Sequence, residues 1–81
     1  MTYTVTYAPD ADRTRTRLSP AERRTLDAGM ALIAEDPYGS GSSATWSAGR
    51  REATLGSSIF VVYRITAPAM LVTVVNLILR P

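Results

Sequence analysis

The feature that most constrains this chain is a stretch of 21 residues, 59–79, in which Arg64 is the only charged residue. A segment of this length could span a membrane as a helix, since a bilayer core needs about 20 apolar residues. That helix would hold Arg64 inside the bilayer and Pro68 near its centre, and both positions are costly. The stretch is also rich in Val, Ile and Thr, and the sequence Thr-Ala-Pro-Ala around Pro68 is typical of a chain break. We therefore predict two strands, 59–65 and 70–79, and no membrane span.

The first residues of the chain predict a strand and a short helix. Residues 2–7 alternate threonines with Tyr, Val and Tyr, and a period of two in β-branched and aromatic residues indicates a strand. Residues 8–18 carry small or apolar side chains at helical spacing, which predicts a weakly apolar helix. Its three arginines, Arg13, Arg15 and Arg17, are interpreted as a solvated helix face that can pair with neighbouring acids.

A second helix has a stronger start signal. Ser19 suits the N-cap, Pro20 suits the first helical position, and Glu22 stands where a side chain reaches back to the cap. Leu, Met and Ile then recur at helical spacing as far as about Glu35. Pro37 ends the helix, because the residue before a proline is pushed out of the helical region.

The order of these elements predicts the fold. Residues 38–43 are rich in Gly and Ser and predict a flexible connector. Residues 51–55 then indicate another strand and residues 56–58 a turn. Trp46, between the connector and this strand, is interpreted as a core or hairpin-packing residue. Residues 1–81 then form a single α+β domain of order β-α-α-β-β-β. We expect an N-terminal helical hairpin packed on one face of a mainly antiparallel four-stranded sheet, with the apolar last strand near its centre.

Cys, His and Lys are absent, and their absence excludes several kinds of chemistry. There is no Cys, which excludes disulfides, zinc–thiolate sites and a catalytic thiol. There is no His and no Lys, so a nucleophile of the Ser-His type cannot be assembled. We expect no metal and no cofactor. The net charge of +2 is too small to argue for nucleic acid by itself, and the N-terminus lacks a signal-peptide pattern, from which we expect a cytoplasmic protein.

Four arginines come from the strand-rich half of the chain, where they can gather on one surface: Arg50, Arg51, Arg64 and Arg80. Two helices cover only one face of such a sheet, so the other face is left uncovered. Along the last strand, strict alternation predicts that one face carries Val74, Asn76, Ile78 and Arg80. Arginines on an uncovered face suit phosphate, because the planar guanidinium donates two hydrogen bonds to a pair of oxygens. The alternative is that they are solvated strand-end charges that keep sheet edges from pairing, with Glu52 as an ion-pair partner.

Five segments of the chain follow one another in a familiar order. They are Tyr-Thr-Val-Thr-Tyr-Ala-Pro-Asp-Ala-Asp at 3–12, Leu-Ser-Pro-Ala-Glu-Arg-Arg at 18–24, Ile-Ala-Glu-Asp-Pro at 33–37, Phe-Val-Val-Tyr-Arg-Ile at 60–65, and the final strand at 71–80. Together they resemble the RelE/ParE superfamily of bacterial toxin–antitoxin modules, the RelE-like branch most closely. The resemblance implies a small toxin that an antitoxin wraps and holds inactive. RelE-like members cleave mRNA in the ribosomal A site without a metal, by attack of a ribose 2′-hydroxyl on its own phosphate.

The resemblance also implies roles for particular residues. Arg80 matches a catalytic arginine at the end of the last strand, and Arg50, Arg51 and Glu52 lie where the family places charged groups on its second strand. The implied catalytic residues are Arg80, Arg51 and Glu52, and the implied RNA phosphate-binding residues are Arg50, Arg51, Arg64 and Arg80. The implied partners are a cognate antitoxin, the ribosome and mRNA.

The sequence also departs from the family pattern. The family's core strand usually carries an Arg just ahead of its Val-Tyr pair, where this sequence has Phe60 and Val61, and the lysines of the second strand are absent, with Glu52 and Thr54 nearest. Two alternatives to mRNA cleavage therefore stay open: a ParE-like inhibitor of DNA gyrase, or a non-catalytic protein that keeps only the fold and antitoxin binding.

Overall fold

The computed structural model describes residues 2–39, 42–45 and 49–80, and the prediction for Trp46 lies outside them. The elements follow one another in the predicted order, with one short strand added. They are β1 (Thr4–Tyr7), α1 (Pro9–Thr16), α2 (Pro20–Glu35), β2 (Ser43–Ala44), β3 (Arg50–Leu55), β4 (Ile59–Thr66) and β5 (Leu71–Leu79). A single turn of 3₁₀-helix that contains Pro68 joins β4 to β5, which confirms the predicted break.

The strands form one sheet in the order β1-β5-β4-β3-β2. β1 pairs in parallel with β5, and the other neighbours are antiparallel, so β5 lies inside the sheet as predicted. The α+β fold and the mainly antiparallel sheet are therefore confirmed. The sheet has five strands instead of the predicted four, because β2 adds Ser43 and Ala44 opposite Glu52 and Arg51. A strand of two residues carries no periodicity that a sequence could reveal.

Helix α2 begins and ends where the sequence predicts. The Ser19 hydroxyl accepts a hydrogen bond from the Glu22 N–H (3.1 Å), and the Glu22 carboxylate accepts one from the Ser19 N–H (2.8 Å). This capping box satisfies backbone donors that a helix start otherwise leaves unpaired. The helix buries one stripe against the sheet: Leu26, Met30, Ile33 and Ala34. Within the described part of the chain, neither helix is both long and apolar enough to cross a membrane.

Helix α1 is short and presents a charged outer face. Arg13 pairs with Asp10 and Arg15 pairs with Asp12, each one turn apart on the helix. Ala11 is the buried residue of this helix. The prediction of a solvated arginine face is confirmed.

The core lies between the helices and one face of the sheet. The fully buried sheet residues come from the two central strands: Ile59, Val61, Tyr63, Val72 and Val74. Tyr63 is the largest of them, and its hydroxyl donates a hydrogen bond to the Pro37 carbonyl oxygen (2.7 Å). This bond ties β4 to the end of α2 and gives a buried polar group the partner that burial requires.

A bulge in β5 changes which side chains share a face. Val62 of β4 is opposite Asn76, whereas the next residue, Tyr63, is opposite Val74, so Val75 is an extra residue on β5. Val74 is buried against the helices, and Asn76 is exposed on the other side of the sheet. The prediction that Val74 and Asn76 share a face is wrong, because the inserted residue resets the alternation.

Candidate functional site

The face of β3, β4 and β5 that points away from the helices carries the candidate site, and we call it the open face. Its members are placed by the cross-strand register, in which directly opposite residues share a face. They are Arg50, Glu52, Thr54, Phe60, Val62, Arg64, Thr66, Leu71, Thr73, Asn76, Ile78 and Arg80. All of them are exposed or half-buried, in contrast to the buried residues that alternate with them.

One end of the open face carries two arginines side by side. Arg50 on β3 is directly opposite Arg64 on β4. Both are exposed, and no carboxylate within the described residues forms an ion pair with either side chain. Two unpaired guanidinium groups at adjacent positions can donate several hydrogen bonds to one phosphate.

The other end of the open face carries Arg80. Its guanidinium carbon lies 5.7 Å from the centre of the Phe60 ring, within the range of a cation–π contact. The Arg80 N–H also donates to the Ser58 carbonyl oxygen (2.7 Å), which continues the β4–β5 pairing past the end of β5. The Phe60 ring therefore packs against the Arg80 guanidinium at this end of the open face.

Glu52 lies between the two ends. It is opposite Val62, and its two diagonal neighbours on β4 are Phe60 and Arg64. Diagonal neighbours across an antiparallel pair are about 7–8 Å apart, so Glu52 lies about equally far from Phe60, which Arg80 covers, and from Arg64. Glu52 forms no ion pair with Arg80 in the described structure, so both groups face solvent with their charges unpaired.

Arg51 does not join the other arginines. It is opposite the buried Tyr63, so its side chain lies on the helix-covered side of the sheet edge. There its Nε donates to the Ser42 hydroxyl (2.9 Å) and its terminal nitrogen donates to the Ser42 carbonyl oxygen (3.2 Å). The guanidinium also lies 5.8 Å from the centre of the Tyr38 ring. Because neighbouring residues of a strand point to opposite faces, Arg50 and Arg51 cannot both line the open face.

The open face therefore has two separate basic ends, with Glu52, Val62 and Asn76 between them. Arg64 and Phe60 are four residues apart on β4, which corresponds to about 13 Å. The Arg50–Arg64 pair and Arg80 are too far apart to hold one phosphate together. They are placed to hold different parts of an extended ligand.

Sequence reasoning did not identify the residues around Arg51. Tyr38 and Ser42 belong to residues 38–43, for which the sequence predicts only a flexible connector. Both contact Arg51, and a hydrogen bond from the Ser42 hydroxyl to the Gly39 carbonyl oxygen (3.0 Å) braces the loop itself. No periodic signal marks such contacts, because they join residues of a loop to a strand about ten positions away.

The fold is that of known toxins. The sequence matches no protein-family model and no curated protein. Among solved structures, the isolated RelE toxin of Escherichia coli is similar over 98% of this chain and 85% of that one, with a TM-score of 0.85 and 18% identity.

Two further structures come from complexes. A chain of the RelBE2 toxin–antitoxin complex of Mycobacterium tuberculosis is similar over 99% of this chain and 100% of that one (TM-score 0.81, 20% identity). A chain of the archaeal RelE–RelB complex of Pyrococcus horikoshii is similar over 99% and 97% (TM-score 0.77, 19% identity). These likenesses show that the chain has the RelE fold.

Proposed function

We propose that this chain, which has the RelE fold, is the toxin of a type II toxin–antitoxin pair and cleaves mRNA on the ribosome. The observation that carries the proposal is the open face, on which three arginines and one glutamate stand without ion-pair partners among the described residues. The phosphates of mRNA are anions that these arginines can bind, since no carboxylate of the described residues pairs with them. Ribosomes and mRNA meet in the cytoplasm, where we expect the protein to act.

In the proposed reaction the RNA cleaves itself and the protein assists. The ribose 2′-oxygen forms a bond to the adjacent phosphorus while the bond from phosphorus to the 5′-oxygen breaks, which leaves a 2′,3′-cyclic phosphate. Glu52 accepts the proton of the 2′-hydroxyl, and the departing 5′-oxygen takes a proton from water. Arg80 stabilises the negative charge that develops on the phosphate oxygens.

The remaining arginines serve a different part of the RNA. Arg50 and Arg64 hold a phosphate at the far end of the open face, which aligns the strand over Glu52 and Arg80. Arginine stays protonated at neutral pH, so Arg80 is a charge-stabilising group and not a general acid. Much of the rate enhancement must then come from holding the RNA in a reactive geometry, which can supply several kcal/mol.

An antitoxin is the proposed protein partner. The similar structures from Mycobacterium tuberculosis and Pyrococcus horikoshii are of toxin–antitoxin complexes. By analogy, we expect an antitoxin to bind this chain and keep it inactive. Co-expression with the open reading frame next to its own is the direct test, since a cognate antitoxin must restore growth that the toxin alone inhibits.

Cleavage is tested in a reconstituted translation reaction, in which the 5′ ends of the mRNA are mapped. Purified protein is expected to cut mRNA only while ribosomes translate it. Arg80→Ala is expected to reduce cleavage on the order of 100-fold, because loss of one positioned donor to a developing oxyanion has that effect. Arg24→Ala, which removes an exposed arginine of α2, is the matched control and should cut normally. Intact mRNA with the wild-type protein, or equal activity of Arg80→Ala, would contradict the proposal.

One observation favours a second candidate function. Phe60 and Ile78 are opposite each other on the open face, and Ile78 is 51% exposed. An apolar patch at this point suits a protein surface better than a phosphate, as expected of a ParE-like inhibitor of DNA gyrase. A gyrase supercoiling assay separates the two functions, since inhibition there with no mRNA cleavage selects the second.

A further inference from the structure

Two threonine hydroxyls meet on the sheet surface next to the arginine pair of the open face. Thr6 on β1 is opposite Thr73 on β5, and their hydroxyl oxygens lie 3.2 Å apart in a hydrogen bond. Thr6 is exposed and Thr73 is half-buried. Because Thr73 belongs to the open face, this contact shows that β1 extends that face by one strand at this point.

Arg64 lies directly beside the two threonines. It is opposite Arg50 on one side and opposite Thr73 on the other, so four polar residues form one row across four neighbouring strands. Neighbouring strands are about 4.8 Å apart. A ribose is bonded directly to an oxygen of its phosphate, so the ribose of a phosphate bound by Arg50 and Arg64 can reach Thr73 across one strand spacing.

The hydroxyl pair keeps both a donor and acceptors for a ligand. Each threonine hydroxyl carries one hydrogen and two lone pairs, and the mutual bond uses one hydrogen and one lone pair. Among the described residues neither hydroxyl makes a second hydrogen bond, so one O–H donor and several lone pairs remain. A phosphodiester oxygen would use only the donor, because it accepts and cannot donate. A hydroxyl ligand would use the donor and an acceptor together.

RNA supplies such a ligand in its sugar. The ribose 2′-hydroxyl both donates and accepts hydrogen bonds, and it is the group by which a protein distinguishes RNA from DNA. It carries no charge, which matches two uncharged threonines placed beside a charged arginine that holds the phosphate. The row therefore separates a phosphate contact at the arginines from a sugar contact at the threonines.

We propose that the Thr6–Thr73 hydroxyl pair binds the 2′-hydroxyl of the nucleotide whose phosphate is held by Arg50 and Arg64. The inference rests on the proposed function, since it names a sugar contact for the proposed RNA substrate. This ribose lies at the end of the open face away from Arg80. Its 2′-hydroxyl is thus a recognition group and not the one that attacks phosphorus.

The test compares two oligonucleotides that differ only at the 2′ position. Binding of fluorescein-labelled penta-uridylate and of penta-2′-deoxyuridylate is measured by fluorescence anisotropy at low salt, without ribosomes, so that the proposed cleavage does not occur. We expect the wild-type protein to bind the ribo-oligonucleotide about 5-fold more tightly, because one net hydrogen bond contributes a factor of that order. Equal affinity, or no binding of either oligonucleotide, overturns the inference.

Variants separate the hydroxyl contact from effects of sugar conformation, which also differs between the two oligonucleotides. The double variant Thr6→Val, Thr73→Val keeps the side-chain shape and the strand preference but removes both hydroxyls. It should bind both oligonucleotides with the affinity that the wild-type protein has for the deoxy form. The double variant Thr6→Ser, Thr73→Ser should retain the preference. Thr16→Val, at the exposed end of α1, is the matched control and should also retain it.

A purely structural role of the threonine pair would give a different result. Loss of a structural contact would change the affinity for both oligonucleotides alike, and a preference that survives the double valine variant overturns the inference. Arg64→Ala should weaken both oligonucleotides, because it removes a phosphate contact that they share. Unchanged binding in Arg64→Ala would place the RNA elsewhere and would also overturn the inference.

The outcomes distinguish this inference from the proposed cleavage. A protein that cuts mRNA on the ribosome but binds the two oligonucleotides equally lacks the sugar contact and keeps the proposed function. A preference for the ribo-oligonucleotide that depends on the threonine hydroxyls, in a protein that leaves mRNA intact, supports the sugar contact and overturns the cleavage.

Discussion

Arg50 on β3 and Arg64 on β4 are directly opposite each other in an antiparallel pair and share the open face of the sheet. No carboxylate among the described residues pairs with either one. Like charges at directly opposite positions destabilise a sheet. The position therefore costs stability in the free protein, and a bound anion would remove that cost.

Relief of this repulsion is measurable. Arg64→Thr should raise the free energy of unfolding by about 0.2–1 kcal/mol, because it removes a like-charge cross-strand pair and inserts a residue that favours strands. Urea unfolding at low salt measures the change. Arg50→Thr and the double variant complete a double-mutant cycle, whose coupling energy should shrink as salt rises. A cycle without coupling at low salt would show that the two guanidinium groups do not repel each other.

The bond between Tyr63 and Pro37 should contribute to stability. Tyr63→Phe removes the donor to the Pro37 carbonyl oxygen while leaving the ring in the core. We expect a loss of about 1–2 kcal/mol, since the hydrogen bond is lost and the Pro37 carbonyl keeps only a longer one from the Ser42 hydroxyl (3.4 Å). Tyr38→Phe, at an exposed tyrosine, is the control and should change stability little. Unchanged unfolding of Tyr63→Phe would mean that water satisfies the carbonyl equally well.

The capping box at the start of α2 is a third test. Ser19→Ala should destabilise the protein by about 0.5–2 kcal/mol, because the Glu22 N–H loses its acceptor. Chemical denaturation measures the loss. Ser19→Asp restores an acceptor at the N-cap and should recover most of it, whereas a loss as large as that of Ser19→Ala would rule out capping as the cause.

Stability should fall at alkaline pH as Tyr7 loses its proton. Burial, followed by the nearby Asp27 charge, raises the pKa of the Tyr7 phenol above its ordinary value, although Arg15 opposes the shift. The folded state thus holds the Tyr7 proton more tightly than the unfolded state does. The stabilisation from this proton is therefore fully present below the ordinary tyrosine pKa, and it is lost as the pH rises through the raised pKa of the folded protein.

The measurement is the unfolding midpoint as a function of pH. Because the chain has no His, Cys or Lys, the midpoint should vary little between about pH 6 and 8 and then fall above about pH 10. Tyr7→Phe should lose less stability over the alkaline range than the wild-type protein does. An identical alkaline decline in both proteins would place the titrating group elsewhere.

Much of the fold follows from local patterns in the sequence. Ser19, Pro20 and Glu22 mark the start of α2 because capping involves neighbouring residues, and Pro37 marks its end for the same reason. Pro68 divides the apolar stretch into two strands, since proline has no N–H for the sheet. The alternation of β4 likewise places Val61 in the core and Arg64 outside it.

The functional surface depends on contacts that no local pattern contains. The sequence by itself determined the ends of α2, the break at Pro68 and the order of the elements, because capping and strand alternation depend on neighbouring residues. Only the tertiary structure decided that Arg50 faces Arg64 while Arg51 turns to Tyr38, and that a bulge at Val75 keeps Asn76 on the open face. Cross-strand register and loop packing join residues far apart in the chain, so they are set by the whole core and not by any one segment.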